Sequence, residues 1–285
     1  VIERVRSWVN GTAGPGNASS ERSNSDIVPF DGYTSELQYI KFVDSLSDND
    51  LIELNKLLRW NCFVADKSGR RFGNAAWRGK RCEPQPIPDR RIVLLNETFD
   101  LANKHVLEVG CFEGIHTVGL SHFAQQVTAI DARIENVVKT IVRSAFFGFH
   151  PTVFKCDIEA RPLDYAELTA DVLHHVGVLY HLKDPVFHLL ELGSFIRHGV
   201  LLDTHYAMDD ETIESYTVKG TSYHYKKYRE GKDPFSGMYD HSKWLRLNDL
   251  LSLLKASGFD ETEIVETRNE RNGPRALLLA RRKTA

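Results

Sequence analysis

The stretch Val106–Gly114, VLEVGCFEG, decides the reading of this chain, together with VTAID, which ends at Asp131, 21 residues after Gly110. An apolar run carrying Glu108 leads into two glycines, Gly110 and Gly114, and an amphipathic pattern begins at Ile115. A second apolar run, Val127–Ile130, ends in Asp131. The order is strand, tight turn, helix, strand. Such a βαβ unit holds nucleotides at the carboxyl ends of its strands, here with an acid placed for a ribose.

Electrostatics narrows the ligand. A dinucleotide brings a pyrophosphate to the first helix N-terminus, and Gly-x-Gly-x-x-Gly spacing lets the backbone approach that anion. Here Phe112 stands two positions after Gly110, and Glu113 precedes the helix, where its carboxylate is expected to repel phosphate. S-adenosylmethionine has no phosphate, and its positive sulfonium tolerates acidic neighbours such as Glu108. The pattern E-x-G-x-x-x-G resembles motif I of the class I S-adenosylmethionine-dependent methyltransferases, with Asp131 matching their ribose-binding acid. A tight turn without a ligand is the plain alternative.

Outward from this unit, the chain alternates strands and helices. Val106–Val109, Val127–Ile130, Val153–Cys156, Val172–Val176 and Val200–Asp203 read as strands; Ile115–Phe123, Glu135–Phe147, Pro185–Ile196 and Asn248–Ser257 read as helices. Glu263–Glu266 and Ala276–Ala280 read as two last strands. This rhythm predicts an α/β, Rossmann-like, doubly wound fold. Its seven-stranded sheet is expected to be mostly parallel with an antiparallel terminal strand, as the resemblance implies. Residues 1–33 read as a flexible tail, because Gly11–Asp26 is small, polar and aperiodic. Residues 34–98 read as a helical and hairpin extension forming part of a substrate cap, with helices over Ser35–Leu46 and Asn49–Trp60, the second capped by Asp48. Residues 99–285 read as the core, with an irregular cap insertion at 207–242 holding Tyr216, Tyr223, Tyr225, Tyr228 and Tyr239, half of the ten tyrosines.

At 285 residues and net charge −3 the chain disfavours a large polyanion partner, without excluding a local nucleic-acid contact. No apolar run reaches the ~20 residues that span a bilayer, and the opening residues show no signal-peptide pattern. Cys62, Cys82, Cys111 and Cys156 form no C-x-x-C pair, so reduced thiols in a cytoplasmic protein are expected, without a metal. A homodimer is left open.

Ligands of open α/β sheets gather at strand carboxyl ends. That rule places Glu108, Gly110, Cys111, Gly114, Asp131, Ala132, Asp157, Ile158 and Val176 around the cofactor, with Asp157 as a helix cap the plainer reading. The segment VGVLYHLKDP (Val176–Pro185) resembles the G-V-L-Y-H-x-x-x-P segment of the methyltransferase-like enzymes that modify the tRNA wobble uridine, and of their small-molecule relatives. The resemblance runs from about Trp60 to Ala280. Those enzymes use a carboxylated cofactor and hold it with basic residues ahead of the core; Arg78, Lys80 and Arg81 are the basic residues available here.

His181 and His205 lie just past strand ends and suit the removal of a proton from a hydroxyl acceptor. Trp77, Arg78, Tyr180, Tyr206 and Tyr223 are expected to line the acceptor site. His174 and His175 point to opposite faces of one strand, so they cannot clamp one metal. The expected function is S-adenosylmethionine-dependent methyl transfer to a heteroatom, oxygen first, of a small-molecule acceptor. The rivals are a tRNA wobble-uridine modifying transferase and a non-catalytic module that retains the cofactor fold.

Overall fold

Short apolar runs, buried on both faces, assemble the central sheet. The computed structural model describes residues 46–66, 69–73, 83–161, 163, 165–211, 214–231 and 235–283. The expected tail (1–33), the expected helix over Ser35–Leu46 except its last residue, and Trp77, Arg78, Lys80 and Arg81 lie outside the described residues.

Ahead of the sheet come helix α1 (Asp48–Leu57), an antiparallel hairpin of β1 (Phe63–Ala65) and β2 (Arg71–Gly73), and helix α2 (Arg90–Phe99). The cap of α1 is Ser47, not Asp48. Ser47 Oγ accepts the Asp50 N–H at 3.2 Å while Asp50 Oδ2 accepts the Ser47 N–H at 2.9 Å, a reciprocal capping box. Asp89 caps α2 by accepting the Arg91 N–H at 2.9 Å. Its buried Ile92 and Leu95 dock on the sheet.

Then follow β3 (His105–Val109), α3 (Ile115–Phe123), β4 (Gln126–Asp131), α4 (Ile134–Phe146), β5 (Thr152–Lys155), α5 (Tyr165–Leu168), β6 (Ala170–Val176), α6 (Pro185–Leu192) and β7 (Ile196–His205). The insertion carries β8 (Glu214–Val218), β9 (Thr221–Arg229) and β10 (His241–Leu245), and α7 (Leu247–Ala256), β11 (Glu261–Glu270) and β12 (Gly273–Arg281) complete the fold. The seven-stranded sheet has the order β11-β12-β7-β6-β3-β4-β5. Only β12 runs against its neighbours in that sheet, as the family resemblance implied.

Side-chain alternation builds a core on each face. Leu107, Leu173, Leu202 and Leu278 join α6 and α7 residues such as Leu189 and Leu253. Val106, Val172, Leu201 and Leu277 join Ile92 of α2 and Leu120 of α3 on the other side. Each fully buried Leu or Val contributes roughly 1.5–3 kcal/mol of apolar transfer, which fixes the register of every strand.

The insertion is a three-stranded antiparallel sheet in the order β10-β9-β8, not an irregular loop. Lys219 and Gly220 turn β8 into β9 with φ of 49° and 83°, the two-residue turn whose twist matches a hairpin. Among the described residues no helix is long and apolar enough to cross a membrane.

Candidate functional site

The strand order departs in both directions from β3, towards β4 on one side and β6 on the other, and such a switch point opens a crevice. A cleft of about 470 Å³ lies there. Glu108, Gly110, Cys111, Asp131, Ala132, Asp157, Ile158 and Val176, all expected on the cofactor side, line it. Gly114 does not. A side chain on Gly114 would meet the Thr140 backbone at 2.9 Å, so this glycine seats α3 against α4. Gly110 does face the cleft: its φ is +77°, and a Cβ there would lie 2.2 Å from Val178 Cγ2.

Asp131 organises the turn as well as facing the cleft. Its Oδ2 accepts the Phe112 N–H at 3.1 Å, and its Oδ1 accepts the Arg133 N–H at 2.9 Å and Asn136 Nδ2 at 3.0 Å. Burial nevertheless raises its carboxyl pKa above the ordinary value. Glu108 is 1% exposed and accepts the Thr117 hydroxyl at 2.5 Å. Burial, with Asp131 adding repulsion against that hydrogen bond, pushes Glu108 up to about 8. Asp157 Oδ1 accepts the Glu159 N–H at 3.0 Å, so Asp157 caps a turn at the cleft edge while lining it.

Glu113 corrects the electrostatic argument drawn from sequence. Its carboxylate turns away from the cleft into the extension. There it accepts Asn61 N at 2.8 Å, Cys62 N at 3.0 Å and the buried Lys139 ammonium at 2.9 Å. It therefore repels nothing at the cleft. Phosphate is disfavoured instead by the carboxyls of Asp131 and Asp157 on the cleft wall and by the turn amide of Phe112, which is already committed to Asp131.

The opposite wall is basic but neutralised. Arg91, Arg268 and Arg275 converge on Asp203, whose oxygens lie 2.7, 3.0 and 2.5 Å from their guanidinium nitrogens. Burial alone pushes the Asp203 carboxyl up, but Arg275, Arg91 and Arg268 outweigh it and hold it well below the carboxylate range. Asp89, Glu266 and Glu270 pair the same arginines and Arg90. Sequence reading missed this cluster because its members come from widely separated elements with no shared local motif.

The candidate acceptor residues divide. Tyr180 and His181, on a 3-10 turn after β6, line the cleft. His205 does not: it is 3% exposed, with Nδ1 3.0 Å from the Pro274 carbonyl and its ring stacked on Trp244 at 4.8 Å. Burial, aided by Arg275, lowers its pKa. Tyr223 is 1% exposed inside the core beneath the insertion, and Tyr206 also lies off the cleft, with its N–H bonded to Pro274 O. None of the five insertion tyrosines lines it either. The insertion reaches the cleft through Phe235–Met238 instead. Phe235 sits 5.0 Å from the Phe112 ring, and Arg133 donates to Ser236 O at 2.9 Å.

His174 and His175 do face opposite ways. His174 meets His116 edge-on at 5.1 Å, while His175 Nε2 lies 2.9 Å from His188 Nε2 and burial pushes His175 down to about 4. Glu108, His116 and His174 bring one ligand-type atom each within 4.8 Å of one another, a grouping the sequence did not suggest. Arg91 Nη2 stands 3.2 Å from His116 Nε2, placing a fixed cation against that group.

No family model matches the chain. It is similar to a tRNA U34 carboxymethyltransferase of Methylococcus capsulatus, 38% identical over 102 residues, covering 35% of this chain and 31% of the relative. The match spans about a third of the length of that relative. A ubiquinone biosynthesis O-methyltransferase of Vibrio cholerae is 24% identical over 197 residues, covering 66% of this chain and 76% of the relative. Among solved structures, the N-terminal domain of EvdMO1 with SAH bound superposes with a TM-score of 0.68 at 22% identity, covering 84% of this chain and 98% of that one. The same domain in the presence of SAH and D-fucose gives 0.65 at 23% identity, covering 83% and 95%. The sheet order and these likenesses give the chain the Rossmann-like fold of the class I S-adenosylmethionine-dependent methyltransferases.

Proposed function

From the premise of a class I methyltransferase fold, we propose that this protein transfers a methyl group from S-adenosylmethionine to a heteroatom, most simply a hydroxyl oxygen, of a small-molecule acceptor. The carrying observation is the cleft at the switch point, lined by Asp131 and Glu108 with Gly110 at its floor. The residues fit the cofactor. A cationic, phosphate-free nucleoside suits a cleft whose sheet side presents Glu108, Asp131, Asp157 and Glu159 and whose turn amide is already bonded.

Asp131 would hold the ribose, Asp157 and Ile158 the base, and Glu108 the cationic end. The cofactor supplies an electrophilic methyl group. The chain's residues do the rest: they position the acceptor in line, exclude water, and accept a proton. His181 is the proton acceptor in this reading, and Tyr180 lines the acceptor side. Phe235–Met238, with Cys62 and Gln85 of the extension, border the cleft and would shield both ligands from water.

The likeness to an O-methyltransferase and to a domain crystallised with SAH and D-fucose supports a hydroxylated small acceptor. The arginines near Tyr180 are matched by carboxylates, which supports an uncharged acceptor over a polyanion. Calorimetry with S-adenosylhomocysteine tests the reading. Binding in the micromolar range that is weakened in Asp131→Asn is expected; absence of binding by the folded wild type refutes it.

A further inference from the structure

His181 does not stand alone. Its Nδ1 lies 2.9 Å from Oε2 of Glu230, at the end of β9 and 49 positions along the chain. Glu230 is 8% exposed, and three other groups fix it. The Gly237 N–H donates to Oε2 at 2.8 Å, the Ser242 hydroxyl donates to Oε1 at 2.6 Å, and the Glu230 N–H bonds the Asp240 carbonyl at 3.0 Å. Gly237 is itself pressed onto the His181 backbone, where a Cβ would lie 2.3 Å from the His181 carbonyl oxygen. The insertion thus delivers one carboxylate, held on both oxygens, to the one histidine of the four named past or within β6 and β7 that lines the cleft.

We propose that Glu230 is a positioning residue for His181, fixing the imidazole with its proton on Nδ1 and its Nε2 lone pair towards the acceptor. This inference rests on the methyl-transfer reading. An ionised carboxylate only accepts hydrogen bonds, so the Nδ1 contact dictates the tautomer. Burial raises the Glu230 carboxyl, but the bonds from His181, Ser242 and Gly237 prevail and hold it below its ordinary value, which keeps it an acceptor.

The proton balance then closes. Nε2 takes the acceptor's hydroxyl proton as the oxygen bonds the methyl carbon, and the carbon–sulfur electron pair returns to sulfur. The resulting imidazolium faces the Glu230 carboxylate. A nucleophile's base oriented by a third group is the same logic as in hydrolytic triads, with the residue just past β9 of the insertion supplying the orienting group.

Four readouts test it. Imidazole nitrogen-15 spectra of the neutral ring should show His181 as the Nδ1–H tautomer in the wild type and a mixed population in Glu230→Gln. Transfer of methyl label from S-adenosylmethionine into the low-mass fraction of a cell extract should show kcat reduced on the order of 10–100-fold in Glu230→Gln. The dissociation constant of S-adenosylhomocysteine should stay within about twofold, since the pair acts on the acceptor. In a His181→Asn background, Glu230→Gln should cost nothing further, because the two act as one unit.

Ser242→Ala, which removes a single bond to the carboxylate, provides a milder variant if Glu230→Gln fails to fold; an intermediate loss of kcat is expected. An unchanged kcat in a folded variant, or additive losses in the double variant, overturns the proposal while leaving methyl transfer intact. A wild type that binds S-adenosylhomocysteine but labels nothing removes the catalytic reading on which it stands.

Discussion

Glu113 Oε1 accepts the backbone N–H of Asn61 at 2.8 Å, joining the turn after β3 to a segment 52 residues upstream. The same carboxylate neutralises Lys139, which is fully buried, and takes the Cys62 N–H. One side chain therefore locks the extension, the turn and α4 together. Removing one partner of a buried ion pair strands the other, at about 3–5 kcal/mol. Lys139 retains Glu135 at 2.7 Å, so Glu113→Ala should lose stability at the lower end of that range in urea unfolding. A loss under about 1 kcal/mol would mean that the clasp is not formed in solution.

Gly114→Ala should separate packing from binding. The new Cβ meets the Thr140 backbone at 2.9 Å, and the φ of +78° strains any side chain. A destabilisation of roughly 1–3 kcal/mol is expected, with S-adenosylhomocysteine bound normally by the folded fraction. Asp131→Asn should do the reverse, costing about 1.5–3 kcal/mol in cofactor affinity, the scale of a hydrogen bond to a charged group. Equal losses of affinity in both variants would contradict this division.

Much of this was legible in sequence, for identifiable reasons. Val106–Val109 and Val127–Ile130 are largely apolar runs buried on both faces, and composition marks such strands. Asp131 was legible because it ends such a run one βαβ unit after Gly110. The insertion was not: β8 and β9 are written in Tyr, His, Thr and Lys, and only the alternation of Tyr223 and Tyr225 with polar neighbours, around Lys219–Gly220, betrays the hairpin. Helix α2 was masked by the Pro-rich run before it, although Asp89 followed by Ile92 and Leu95 is a cap-and-face pattern. Glu230 and the partners of Asp203 were beyond reach, because long-range contacts selected them rather than any local spacing.

Glu108 predicts a pH dependence. In the ligand-free cleft its carboxyl is pushed up to about 8, so it is largely neutral below that pH. A cationic ligand favours the ionised form, and binding therefore expels a proton. S-adenosylmethionine affinity should rise between about pH 6 and pH 8 and then level, with a smaller dependence for S-adenosylhomocysteine, which lacks the sulfonium charge. The same raised value means that the ligand-free protein loses stability as pH rises from 4.5 towards about 8. Calorimetry in buffers of different ionisation enthalpy counts the proton; proton uptake instead of release would contradict the assignment.

Asp203 predicts the opposite sign. Its carboxyl is held below the ordinary value of 3.8 by three arginines, so it adds stability that is full above that pH and lost as pH falls through the lowered value. Asp203→Asn should cost about 3–5 kcal/mol at neutral pH, because three guanidinium groups then face an amide. It should also flatten the acid limb of the stability curve below about pH 4. Unfolding midpoints measured across that range decide it, and a variant as stable as the wild type would show that the arginines find other partners.

The most direct test of the account is to incubate the protein with methyl-labelled S-adenosylmethionine and a whole-cell extract, then separate small molecules from RNA and protein. The account predicts label in the low-mass fraction, reduced in Asp131→Asn at limiting cofactor and strongly reduced in His181→Asn. Label appearing in RNA, or in no fraction at all, would contradict it.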